Sequence, residues 1–381
     1  MFGLSPGNQS TCIHFSEEQK MIMESARNFC QDTSSISQVR RLIGSSSGYD
    51  LSVWQRIVEL GWTGIAIPES FGGSGLMIDA VVPIVEAMGL NLLATPYINS
   101  TLAAQLILRC GTLEQRERWL PELAGGKVAT VALLDDEDWG MESTAHKLTK
   151  ELTLDGEKCF VGDASVAELF LVLTQYHNKS YFVVVERGQL AENAIREHKL
   201  IDQTKRAAKV DFSGVQIREE AILKGGDLEQ QLAQAKLIGA LLVAAESVGA
   251  ATSCLKLIVD YLNTRKQFGK LIGSYQALKH PCVDILIKIE GARSQVYHAT
   301  TLSLSESESA DIGFDVACRM AKACANDALV FAADRAVQFH GGMGFTYECD
   351  AQLYLRRAQW SQQQFGDSAH HRKRLAPLLV G

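Results

Sequence analysis

The chain has no block of lysine and arginine, and its formal charge is −7 with a pI near 5.8. That balance argues against a nucleic-acid or anionic-membrane surface and leaves small ligands and protein partners. Nine cysteines are scattered from Cys12 to Cys349, an odd number with no C-x-x-C pair. Such a pattern excludes a disulfide framework or a zinc ribbon and fits a reducing compartment. Residues Met1 to Cys12 carry neither the basic start nor the apolar stretch of a secretory signal. The longest apolar run, Leu237 to Ala245 interrupted only by Gly239, stops at Glu246, far short of the roughly 20 residues of a membrane span. These absences predict a soluble, cytoplasmic protein. Also missing are G-x-G-x-x-G after a strand, G-x-x-x-x-G-K-[ST] and H-E-x-x-H. No bundle Glu is followed three residues later by His, and the histidines are isolated apart from His370-His371, so no metal site is predicted.

What is present is ample core: 46% of the 381 residues are hydrophobic and 21% charged, enough for two or three domains. From Phe15 to Lys127 apolar residues recur at helical spacing, as in Leu51, Trp54, Ile57, Val58 and Leu60. Breaks fall at Gly44–Gly48, Pro68–Gly75 and Gly125-Gly126. After Lys127 the pattern changes to short β-rich runs, Val128–Leu134, Leu152–Leu154, Leu169–Thr174 and Tyr181–Glu186, with turn signals at Asp155-Gly156 and Asn178-Lys-Ser. Antiparallel strands in a small sandwich or barrel are expected to about Phe212. Beyond Glu219 strands are expected to cease. Long helical patterns follow at about Glu229–Asn263, Tyr275–Leu304, Phe314–Phe339 and Asp350–Gln364, with a polar connection over Ser305–Ala310. Helices of this length joined by short loops predict a four-helix bundle. The expected fold is mainly α with a middle β domain: 1–127 helical, 128–218 β, 219–381 a C-terminal bundle.

Two segments are unusual for plain bundle helices. Arg265-Lys-Gln-Phe-Gly269, continuing to Gln276, ends the first long helix with a cation, amides, an aromatic and glycines. Arg265 can fork onto a phosphate, Phe268 offers a flat face to a heteroaromatic ring, and Gly269 admits close backbone approach. The same residues also suit an ordinary helix C-terminus capped by Gly269. The second segment, Gln338-Phe-His-Gly-Gly-Met-Gly344, strips side chains from a turn so that backbone N–H groups can meet an anion.

Together and in this order, the two segments resemble the flavin-dependent acyl-CoA dehydrogenases. The resemblance extends to Leu60-Gly-Trp-Thr-Gly-Ile-Ala-Ile-Pro-Glu69, Phe71-Gly-Gly-Ser-Gly75, Trp119-Leu-Pro-Glu-Leu-Ala-Gly125 and Leu154-Asp-Gly-Glu-Lys-Cys-Phe160, so it covers nearly the whole chain. It implies an N-terminal helical domain, a middle β domain and a C-terminal four-helix bundle, with FAD at a subunit interface. In that pattern Arg265, Gln267, Phe268, Gln276, Gln338, Gly341 and Gly342 contact the adenosine and pyrophosphate half of FAD. The implied reaction is α,β-desaturation of an acyl-CoA, with electrons passing to an electron-transfer flavoprotein.

The chain departs from the family pattern where chemistry is done. A carboxylate must reach the substrate's α-proton, yet the family's Tyr-Glu-Gly position carries Phe365, and the alternative position on the first bundle helix carries Gly239. Glu246, two helical turns further along that face, could present a carboxyl to the same cavity, and burial there would raise its pKa. It could equally be satisfied by a bundle or interface partner. The Thr-Glu-Pro segment is replaced by Leu133-Leu-Asp-Asp-Glu-Asp-Trp-Gly140, and Trp-x-Thr by Phe160-Val-Gly162, which removes the hydroxyl placed near the flavin ring. This asymmetry resembles the smaller subunit of α2β2 acyl-CoA dehydrogenases that act on bulky acyl groups in lipid or steroid catabolism. Three readings follow: a subunit that completes its cofactor site with a second acyl-CoA dehydrogenase chain, a self-sufficient homo-oligomer with Glu246 as base, and a non-catalytic structural member of the fold.

Overall fold

The computed structural model describes residues 17–136, 147–176, 179–303 and 308–380. Six helices build the N-terminal third: α1 (Glu17–Thr33), α2 (Ile36–Ile43), α3 (Leu51–Glu59), α4 (Ile78–Leu90), α5 (Tyr97–Cys110) and α6 (Leu113–Ala124). Capping boxes start two of them, Ser35 with Gln38 at α2 and Thr112 with Gln115 at α6, each satisfying two otherwise orphaned N–H groups. Helix α4 is buried on every face from Ala80 through Gly89, as its largely apolar sequence requires. The 68–75 loop folds back so closely that a Cβ on Gly73 would lie 2.1 Å from the Ile67 carbonyl oxygen.

The middle region holds β1 (Ala129–Ala132), β2 (Lys147–Leu148), β3 (Leu154–Asp155), β4 (Glu157–Gly162), β5 (Leu169–Tyr176), β6 (Lys179–Glu186), β7 (Ile195–Glu197), β8 (Ala207–Asp211) and β9 (Ile222–Leu223). One sheet runs β3-β2-β5-β6-β9 with β1 also on β5, and a second runs β4-β8-β7. Not all pairs are antiparallel, as the sequence pattern had suggested: β1 and β2 both lie parallel to β5. Parallel neighbours need a crossover connection, and the excursion between β1 and β5, which passes through β4 in the other sheet, supplies one. Strands also continue past Glu219, since β9 closes the sheet against β6. Of the departure from Thr-Glu-Pro, Glu137–Gly140 lies outside the described residues, as does Asn178 of the expected turn.

The C-terminal part comprises α7 (Leu228–Leu262), the hairpin strands β10 (Lys266–Gln267) and β11 (Lys270–Leu271), α8 (Gln276–Leu302), α9 (Glu308–Phe339), α10 (Ala351–Gln363) and α11 (Ser368–Val380). The hairpin and α11 were not expected, and α9 begins before Phe314, so helix takes up the end of the expected Ser305–Ala310 connection; the start of that connection lies outside the described residues. Helix α7 is long and apolar enough to cross a membrane, but 89% of its most apolar window is buried inside the protein; it is the core helix. It crosses α4 at two glycines: a Cβ on Gly89 would lie 2.0 Å from the Glu246 carbonyl oxygen, and one on Gly249 would lie 2.0 Å from that of Glu86. This backbone-to-backbone contact locks the N-terminal domain to the bundle.

Candidate active site

Both unusual segments lie at one end of the bundle. The β10–β11 hairpin carries Phe268 (φ 52°) and Gly269 (φ 75°) at its tip, and the Tyr275 hydroxyl braces it by donating to the Gln267 carbonyl at 3.3 Å. The glycine turn after α9 is tied to the end of α7 by His340, whose ring stacks on Tyr261 with centroids 4.2 Å apart. Arg265, Gln267, Gln276 and Gln338 are all exposed. Phe268 is 88% exposed, an unfavourable setting for an aromatic ring unless something covers it. Gly341 sits at φ 60°, and a Cβ on Gly341 or Gly342 would meet nothing within 4 Å, so the turn's backbone is open to a ligand. These groups suit a dinucleotide: a cation for pyrophosphate, amides for ribose or adenine, and a flat apolar face.

The positions expected to hold the flavin ring and the base gather elsewhere, at one cavity. Phe160, Gly162, Glu246 and Phe365 line it, together with Asn99 and Asp163. The two family base positions touch each other: a Cβ on Gly239 would lie 2.5 Å from the Phe365 ring. Phe365 thus fills the space that the missing side chain at 239 leaves, and the cavity that remains is about 60 Å³. A small-molecule site usually needs about 300–1,000 Å³. Phe365 is held there in the left-handed region, φ 56°, followed by Gly366 at φ 98°. Beneath this turn the fully buried Lys322 donates to the Ser361 carbonyl at 2.8 Å and the Gly366 carbonyl at 3.3 Å. Burial lowers the Lys322 pKa to about 7 against the opposing pull of Asp367.

Gly162 has a comparable explanation. Its missing Cβ would lie 2.5 Å from Asn99 Nδ2, so the amide of Asn99 occupies the place of a residue-162 side chain. That amide donates to Asp163 Oδ2 at 2.6 Å. Burial raises the Asp163 pKa to about 6, with Asn99 and Lys205 pulling the other way. Phe160 stacks on His198 with centroids 4.6 Å apart.

Glu246 is 3% exposed and paired with two cations. Its Oε1 accepts from Lys205 Nζ at 2.6 Å and from Arg357 Nη1 at 3.0 Å. The fully buried Arg357 also donates from Nε to Asp202 Oδ2 at 2.5 Å and from Nη2 to Thr204 Oγ1 at 2.6 Å. The expectation of a raised pKa for Glu246 is therefore corrected: burial works to raise it, but Lys205 and Arg357 outweigh that and hold it below the usual carboxylate value. Sequence reading missed Asn99, Asp163, Lys205 and Arg357. Only Asp163, directly after Phe160-Val-Gly162, and Arg357, in the run leading to Phe365, stood near a recognised motif.

This architecture, with a helical domain, a two-sheet middle and a helical bundle whose glycine turn faces outward, defines a class that the comparisons specify. The chain belongs to the acyl-CoA dehydrogenase family: residues 16–127 match the model of the acyl-CoA dehydrogenase N-terminal domain, and residues 232–379 that of the C-terminal domain. These are FAD-dependent oxidoreductases acting on acyl-CoA. The acyl-CoA dehydrogenase IpdE2 of Mycolicibacterium smegmatis is 32% identical over 362 residues, covering 94% of this chain and 98% of that protein. An acyl-CoA dehydrogenase of Bacillus subtilis is 27% identical, covering 97% and 100%. Among solved structures, the ChsE4-ChsE5 complex from Mycobacterium tuberculosis shares the fold with a TM-score of 0.86 at 22% identity, covering 97% of this chain and 99% of that one.

Proposed function

We propose that this chain is the cofactor-completing subunit of a two-component acyl-CoA dehydrogenase. It holds the adenosine and pyrophosphate half of FAD through Arg265, Gln267, Phe268, Gln276, Gln338, Gly341 and Gly342. A second acyl-CoA dehydrogenase subunit supplies the catalytic base and the space for the flavin ring. The observation that carries this reading is Phe365 packed on Gly239, which leaves about 60 Å³ where ring and thioester would have to fit.

When bound, FAD would supply the acceptor for the hydride that leaves the acyl β-carbon. This chain's own residues would bind and orient it: Arg265 would offer its guanidinium donors to the pyrophosphate, the Gly341-Gly342 backbone would approach the same anion, and Phe268 would offer its flat face to the adenine. The substrate is an acyl-CoA with a bulky acyl group, and an electron-transfer flavoprotein takes the electrons. A chain of the ChsE4-ChsE5 complex, whose name carries two components, shares this fold. The competing reading, a homo-oligomer with Glu246 as base, asks a carboxylate already paired with two cations to accept a proton; its lowered pKa makes that a poor base.

The test is stoichiometry. Purified alone, the chain should retain little flavin; co-expressed with a second acyl-CoA dehydrogenase encoded beside it, the complex should hold FAD and desaturate an acyl-CoA. A homo-oligomer of this chain with one FAD per protomer and turnover of its own would overturn the proposal.

A further inference from the structure

A cavity of about 640 Å³ lies away from both halves of the flavin site, between α5, the first turns of α7, the loop after Pro68, the end of α8 at Leu302 and Ser303, and Phe314 of α9. Helix α7 contributes Gln230, Gln231, Gln234 and Ile238 to it, whereas Val243 and Glu246 face the cavity that Phe365 closes. At 100° per residue the two sets are centred about a third of a turn apart on the helix. The two cavities therefore use different sides of the same core helix, and the larger one belongs to neither the adenosine surface nor the base positions.

The volume is that of a metabolite-sized site. Its apolar wall is built from the buried Ile78, Ile238 and Phe314 with Leu76 and Leu108. The polar wall is mostly carboxamide. Gln105 is 5% exposed and its Nε2 donates to the Ala66 carbonyl at 2.9 Å. Gln231 Oε1 is buried without a hydrogen-bond partner, which is unfavourable if nothing meets it. Carboxamides donate and accept without charge, and the two charged residues at the wall, Glu69 and Arg109, are of opposite sign. No excess charge selects an ionic ligand.

We infer that this cavity is a second binding site, for an uncharged apolar molecule carrying hydroxyl or carbonyl oxygens, whose body rests on the Leu76, Leu108 and Phe314 wall and whose oxygens meet the α7 glutamines. The site stands independently of how the FAD is shared.

Nile red, an uncharged carbonyl-bearing dye whose emission rises in apolar surroundings, is the probe, titrated into the purified full-length chain. One saturable site is expected, emptied by 1-decanol at concentrations at least tenfold below those at which decanoate acts. Leu108→Trp should fill the space and weaken dye binding tenfold or more, with helix content by circular dichroism as the folding control. The paired change Gln231→Leu with Gln234→Leu, at half-buried positions that leave the helix intact, should weaken 1-decanol competition about tenfold, and it decides the matter if Leu108→Trp does not fold. Leu51→Asp, at the exposed start of α3, should change nothing. Unaltered dye binding in folded Leu108→Trp, unaltered competition in the glutamine pair, loss of binding in Leu51→Asp, or decanoate displacing the dye as well as 1-decanol would overturn the assignment.

Discussion

Asp163 and Glu246 line one cavity, and their surroundings drive them in opposite directions. Burial lifts the Asp163 pKa from 3.8 to about 6, so the folded protein holds this proton more tightly than the unfolded chain. Its contribution to stability is present in acid and is lost as the pH rises from about 4 to about 6. Asp163→Asn, which preserves the acceptor for Asn99, should therefore be more stable than the parent at pH 7 by up to about 3 kcal/mol. The two proteins should converge toward pH 4 in urea unfolding. Glu246 behaves conversely, because Lys205 and Arg357 outweigh its burial and keep its folded pKa below 4.5. Its stabilisation is present above 4.5 and is lost as the pH falls through the folded value. Removing one member of a buried pair costs about 3–5 kcal/mol, and Gln keeps some hydrogen bonding. Glu246→Gln should thus lower stability by about 2–4 kcal/mol at pH 7, a gap that narrows in acid, while turnover of an assembled enzyme stays within severalfold. A hundredfold loss of turnover with unchanged stability would instead make Glu246 the base.

At the scale of elements, the glycines at the crossings decide what can pack. Gly249 lets α7 touch the backbone of α4, and no side-chain rearrangement can move a carbonyl aside. Gly249→Ala should cost about 2–3 kcal/mol or more, read as a lower midpoint in thermal unfolding. The three atoms nearest the Cβ of Gly239→Ala all belong to the Phe365 ring, so its cost, about 1–3 kcal/mol, should largely vanish when Phe365→Ala is combined with it. Additivity of the two changes would show that they do not share the space. Helix existence and order were legible in sequence because apolar spacing repeats over many turns, as along α7 and α9. The parallel pairing of β1 with β5 was not, since periodicity reports which face is buried and says nothing about which strand is adjacent.

For the whole molecule, the exposed apolar groups indicate which surfaces are incomplete. Val283, Leu286 and Ile287 are 54%, 47% and 64% exposed and lie at helical spacing on α8, and Phe268 and Phe345, near the proposed cofactor surface, are 88% and 75% exposed. Patches of this kind mark association sites. Leu286→Asp combined with Ile287→Asp should shift the assembly toward smaller species in sedimentation. In the assembled enzyme Arg265→Ala should weaken FAD about tenfold or more, the loss of a charge-assisted contact worth about 1.5–3 kcal/mol. Flavin retained through gel filtration as well as in the parent would remove Arg265 from the pyrophosphate site.

The sequence by itself determined the family and the helix–β–helix organisation, and it located the two segments proposed to hold the cofactor, because these depend on local composition: a glycine turn, a run of cation, amide, aromatic and glycine, and a long apolar helix can each be read along the chain. It also showed that Phe365 and Gly239 had replaced the familiar carboxylates. Only the tertiary structure decided that these two replacements complement each other, that Asn99 occupies the space beside Gly162, and that Glu246 is held as a carboxylate by Lys205 and Arg357. Each of those facts joins residues more than 40 positions apart through contacts between different elements, and neither the spacing of side chains along the chain nor their types encodes which distant group will neutralise a buried charge.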